Sequence, residues 1–134
     1  MQSGDLVFFR GSGFISWLIR WWTRSDYSHV GVIWMVLGVP LVIEARLGMG
    51  VVCDALATRQ KDGPTVLPSG RHLDLPLALR HLGDWYSIED ALRAGVGEYA
   101  DQAGWECAEL AATLLGYRER FDGWTPQNLL ETVT

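Results

Sequence analysis

The chain has 134 residues, 49% of them hydrophobic, which excludes a disordered chain and predicts a single domain, residues 1–134, with a sizeable core. A formal net charge of -5 and the absence of a long basic run exclude nucleic acid as a partner. The longest apolar stretch, Val30 to Ile43, contains Gly38 and Pro40 and is shorter than the about 20 residues a membrane span needs, so no stable membrane insertion is expected.

At the N-terminus, "MQSGDLVFFR" carries no charged region followed by an apolar stretch and a cleavage site. No signal peptide is read there, and a cytoplasmic location is expected. "GDLVFFR", Gly4 to Arg10, predicts a short apolar strand, ended by "GSG" at Gly11 to Gly13. Ser12 is a candidate helix cap, and Phe14, Trp17, Leu18, Trp21 and Trp22 then recur at helical spacing. "SDYSHVGVIWMV", Ser25 to Val36, reads as a strand with a histidine near its head. Alternation puts Tyr27, His29, Gly31, Ile33 and Met35 on one face and Val30, Val32, Trp34 and Val36 on the other. "LGVP" is a turn, and "LVIEAR", Leu41 to Arg46, returns as the hairpin partner. A further strand is predicted at Val51 to Asp54, with Cys53 inside it.

Thr58 to Gly70 is polar, punctuated by Pro64 and Pro68, and reads as a loop with one short strand at Thr65 to Leu67. Leu73 to Leu82 looks helical, interrupted early by Pro76, and a helix resumes from Ile88 to Val96. "QAGWECAELAATLLGY" is the clearest helix: Cys107, Leu110, Ala111, Leu114 and Leu115 follow the i, i+3, i+4, i+7, i+8 pattern, and Gly116 is its stop. "GWTPQNLLE" offers Thr125 as cap and Pro126 at the first helical position. Strands come first and helices later, an α+β pattern with segregated elements.

The chemistry-bearing residues are a cysteine, a histidine and a carboxylate. Cys107 lies at or within the first turn of its predicted helix, where unpaired backbone N–H groups stabilise a thiolate and supply donors for an oxyanion. Its face is the one that packs on the sheet, so a strand histidine, His29, can reach the sulfur. Glu44 is one carboxylate inside an otherwise apolar strand, costly unless paired, and an adjacent strand would let it orient the imidazole. Thiolate, imidazole and orienting group together are what nucleophilic cysteine catalysis requires. Cys53, in mid-strand, reads as a packed core thiol. The different settings of the two cysteines predict free thiols. With no CxxC or HxxxH spacing, neither a metal nor another cofactor is expected.

"GDLVFF", "YSHVGV", "VIEA" and "WECAEL", in this order, resemble the permuted papain-like branch of the NlpC/P60 superfamily, cysteine peptidases and amidases of the YiiX/YaeF type. In that branch the histidine and acid precede the cysteine helix. The resemblance, from Gly4 to about Leu130, implies a small antiparallel sheet against a nucleophile-bearing helix. It implies a Cys-His-Glu triad of Cys107, His29 and Glu44, acting on short peptides such as cell-wall peptides. The family's Gly-x-Pro-Tyr element falls on Gly83 to Tyr86 with Trp85 in place of proline. Tyr86 becomes a candidate substrate or oxyanion hydroxyl, as does Tyr27 beside the histidine. The nucleophile motif, usually Cys-Ser-Glu, here reads Cys107-Ala108-Glu109. Two rivals remain: a lipid acyltransferase of the lecithin–retinol acyltransferase type, whose Asn-Cys-Glu-His motif is absent, and a non-catalytic binding module that kept the fold.

Overall fold

A computed structural model describes residues 1–11, 21, 25–46, 49–84, 107–120 and 123–134. The helices expected from Phe14 to Trp22 and from Ile88 to Val96 lie outside these residues, apart from Trp21, which is helical and exposed.

Five strands form one antiparallel sheet in the order β4-β3-β2-β1-β5. β1 is Leu6–Phe9, β2 His29–Val36, β3 Val39–Arg46, β4 Gly50–Ala55 and β5 Pro64–Leu67. β2 and β3 are joined by a two-residue turn closed by the Val36↔Val39 pair. Leu37 and Gly38 both take positive φ there, 49° and 81°, the conformation that matches the twist of a tight hairpin. The stretch read as a loop from Thr58 holds more structure than expected. A 3-10 helix, Leu56–Asp62, runs out of β4 and stops at Gly63, whose φ of 63° is left-handed.

Alternation along β1 and β2 divides the core into two. Leu6, Phe8, Val30, Val32, Ile43 and Ala45 face the helices, while Val7, Phe9, Ile33, Val42 and Leu56 form a second cluster on the opposite face. Among the described helices, α1 is Leu75–His81, α2 covers 107–114 and α3 is Pro126–Val133. Pro76 opens α1 rather than interrupting it. Asp74 caps the helix through Leu77 N–H, and proline in the first turn loses no intrahelical bond. In α2 the predicted stripe is buried: Cys107, Leu110, Ala111, Leu114 and Leu115 are each at most 7% exposed. Gly116 ends it in the left-handed region, with Tyr117 N–H on Ala112 O and Gly116 N–H on Thr113 O. Thr125 and Asn128 form a reciprocal capping box before α3, with Pro126 at the helix start.

Candidate active site

β2 starts at His29, and this position gives the ring its neighbours. The β2–β3 ladder runs from Val36↔Val39 to Val32↔Ile43, while His29, Val30 and Gly31 pair with Phe9, Phe8 and Val7 of β1. Ser28 pins the strand's entrance, with N–H on Phe9 O and hydroxyl on Arg10 O at 2.9 Å. At the head of the strand, beyond the β3 ladder, the imidazole meets groups from both sides.

The first is Glu44. Its carboxylate is 0% exposed, and Oε2 lies 2.5 Å from His29 Nε2. Gly31 makes the approach possible. A Cβ there would come within 2.6 Å of Val42 Cγ1, 3.1 Å of Ile43 O and 3.2 Å of Glu44 Cβ. The second is Cys107, 1% exposed, whose side chain hydrogen-bonds the same ring.

These neighbours decide the charge. Burial disfavours the imidazolium. The Cys107 sulfur by charge and hydrogen bond, followed by the Glu44 carboxylate, outweigh burial and raise the His29 pKa from 6.5 to about 9. Burial likewise opposes ionisation of Glu44. The hydrogen bond and charge of His29, then Arg59 and Arg46, hold it below its ordinary value. The structure thus favours a carboxylate beside an imidazolium.

A fourth side chain completes the cluster. Arg59, in the middle of the 3-10 helix, places Nε 3.2 Å from Glu44 Oε1 and Nη2 3.2 Å from Oε2. Its Nη1 lies 2.7 Å from Asp62 Oδ2, and the guanidinium stacks 4.6 Å over the Phe9 ring. Sequence reasoning missed Arg59. The usable signal was Glu44 itself, since a carboxylate with no exposed surface calls for more than one donor.

Of the two tyrosine candidates, only Tyr27 is among the described residues. Tyr27 precedes β2, so strand alternation does not carry it onto the His29 face. Its ring packs on Phe8, 5.4 Å between centroids, and its hydroxyl donates to Thr65 Oγ1 at 3.3 Å. Tyr86 lies outside the described residues. Cys53 is free and only partly buried on the helix-side core; burial, then Asp54, raises its pKa and keeps it a thiol.

The sheet and its helices define an α+β protein with a YiiX-type fold. The structure of yiiX from Escherichia coli O157:H7, described as a metalloprotein of DUF1105, is similar to this chain with a TM-score of 0.61. The two share 26% identity, over 87% of this chain and 68% of that one. No family model matches the chain. No curated protein matches it either. Among the described residues no three His, Cys, Asp or Glu side chains are grouped to hold an ion, and both Glu44 oxygens face His29 or Arg59.

Proposed function

We propose that this protein is a cysteine-dependent amide hydrolase with Cys107 as nucleophile, His29 as proton carrier and Glu44 as the group that orients His29. The observation that carries the reading is the single imidazole bonded to a buried carboxylate through Nε2 and to a cysteine side chain as well. The Cys107 thiolate attacks the substrate carbonyl carbon, and the π pair moves to oxygen. The backbone N–H of Cys107 is the proposed donor to that oxyanion, with Tyr86 as a second candidate. As the C–N bond breaks, the His29 imidazolium gives its proton to the leaving amine, and a thioester remains. Neutral His29 then takes a proton from water, whose oxygen attacks the thioester. Release of the carboxylic acid restores thiolate and imidazolium. Glu44 stays ionised throughout, holding one tautomer and stabilising the cation. No metal or other cofactor enters these steps.

The proposed substrate is a short peptide, with cell-wall peptides as the class to test first. The net charge of -5 disfavours attraction to anionic membrane surfaces. No helix among the described residues is long and apolar enough to cross a membrane. Wild type and Cys107→Ala are incubated with muropeptide-like peptides and with phospholipid vesicles. Peptide cleavage that disappears in Cys107→Ala is expected. Cysteine-dependent release of fatty acyl chains, with peptides intact, would replace the reading by acyl transfer. No cysteine-dependent reaction on either would leave a binding module.

A further inference from the structure

We propose that Arg59 is a positioning residue of this site: its guanidinium fixes the Glu44 carboxylate in the ionised, oriented form that holds His29, and Asp62 neutralises the guanidinium in turn. The inference rests on the hydrolase reading and adds a member from an element outside the sheet.

Three observations support it. First, the contact spans the carboxylate. Nη2 bonds the same Oε2 that faces His29 Nε2, while Nε lies at ion-pair distance from Oε1 without hydrogen-bond alignment. A planar fork on a carboxylate restricts rotation as well as charge, which an ammonium does not do. Second, Arg59 is itself held. Its side chain is 13% exposed and lies over Phe9, the register partner of His29. The 3-10 helix is tied to the end of β1 by Arg10 N–H and Gly11 N–H, both on Asp62 O at 3.1 Å, and Leu56 buries its start in the second core. The arginine is therefore presented from a fixed element.

Third, the charges on the Glu44 side of the imidazole balance. Around Glu44 stand His29 from β2, Arg59 and Asp62 from the 3-10 helix, and Arg46 from β3 itself, while Cys107 meets His29 from α2. Arg46 is paired with Asp54 of β4 at 3.1 Å. Glu44 and Asp62 then offset Arg59 and protonated His29. Without Asp62, the guanidinium would act on the nearby imidazolium as an uncompensated like charge. Without Arg59, a carboxylate with no exposed surface would keep only His29 and Arg46, the latter already paired with Asp54, and burial would push it toward the neutral acid. A neutral acid could not hold an imidazolium.

The test compares wild type, Arg59→Met, Arg59→Lys and Cys107→Ala as full chains, with folding checked by thermal melting. The Glu44 carboxyl carbon is titrated by 13C NMR, a readout that needs no substrate, and kcat and KM are followed against pH on the peptide panel. Arg59→Met should move the Glu44 midpoint upward, carry the acid limb of the rate profile with it, and lower kcat by about tenfold or more with KM little changed, the loss of one charge-assisted hydrogen bond. Arg59→Lys should restore the Glu44 midpoint and leave kcat reduced, because the charge returns without the fork. An unmoved Glu44 midpoint in folded Arg59→Met would overturn the proposal. So would full kcat in Arg59→Lys, the variant that decides if Arg59→Met fails to fold. A wild type with no Cys107-dependent turnover would instead sink the hydrolase reading, and the Glu44 titration would still decide whether Arg59 sets its charge.

Discussion

Replacing Glu44 by glutamine isolates what the carboxylate does to His29. The side-chain shape is kept and one buried negative charge is removed. In the native site the imidazolium gains a 2.5 Å charge-assisted bond from Glu44 and the field of the same carboxylate. A hydrogen bond to a charged group is worth about 1.5–3 kcal/mol and a neutral one about 1 kcal/mol. At 1.36 kcal/mol per pKa unit, losing the charge on the bond alone accounts for about one unit, and losing the Coulomb attraction adds about one or two more. Arg59, left without its partner, pushes in the same direction. The His29 midpoint should therefore fall from about 9 by about two to three units in Glu44→Gln. The measurement is a titration of imidazole ring nitrogens by long-range 1H–15N correlation, with His29 assigned by its loss in His29→Gln. Cys107→Ala should lower the midpoint as well, because the sulfur is the larger of the two raising influences. Linkage gives a second reading. A histidine whose pKa rises on folding adds stability that is full below its ordinary 6.5 and is lost as pH climbs through about 9. The wild type should thus lose its stability advantage over Glu44→Gln as pH rises through that window. An unchanged His29 midpoint in a folded Glu44→Gln protein would refute the reasoning.

Gly31→Ala should cost about 1–3 kcal/mol of stability by overpacking and lower the His29 midpoint, since the new methyl meets Val42 and Glu44. Thermal melting and the same titration check both; a neutral effect on each would show that the strands yield freely. Iodoacetamide should label Cys107 before Cys53 in native protein, read by peptide mass, although Cys53 is the more exposed of the two. The selectivity should disappear in His29→Gln, because only a thiolate reacts quickly. Faster labelling of Cys53 would show that access, not ionisation, governs these thiols.

His29, Glu44 and Cys107 could be singled out in the sequence because each is a reactive side chain at a position that hydrophobic patterning marks. Glu44 is a charge in an apolar strand, His29 a titratable ring at the head of another, and Cys107 a sulfur on the buried stripe of a 3.6-period helix. Hydrophobic periodicity reveals such positions, and the hairpin turn brings two of the three onto neighbouring strands. Arg59 breaks no pattern. It lies in a short, polar 3-10 segment, which has no periodicity long enough to read. Its partners, Glu44 and Phe9, are distant in sequence. Tyr27 was put on the His29 face by carrying alternation two residues beyond the start of β2, which begins at His29. Pro76 was read as an interruption because proline's role depends on its distance from the helix start, and only the Asp74 cap fixes that start.

Stability alone gives little reason for this chain to bury its charges here. Replacing a buried ion network by apolar side chains of similar volume is often neutral or stabilising, by about 1–4 kcal/mol in favourable cases. The second core, with Val7, Phe9, Ile33, Val42 and Leu56, already surrounds the site with such side chains. A glutamate with no exposed surface between a histidine and an arginine is thus an expensive way to fill the space. Gly31, where a Cβ would press on Glu44, adds the backbone freedom that glycine brings to a strand. What the arrangement does provide is a cation at His29, held through Nε2 by Glu44, with Cys107 acting on the same ring. An imidazolium beside a sulfur is of little use to packing and of direct use to a thiolate, which is why the charge cluster, more than the fold, argues for chemistry at this end of the sheet.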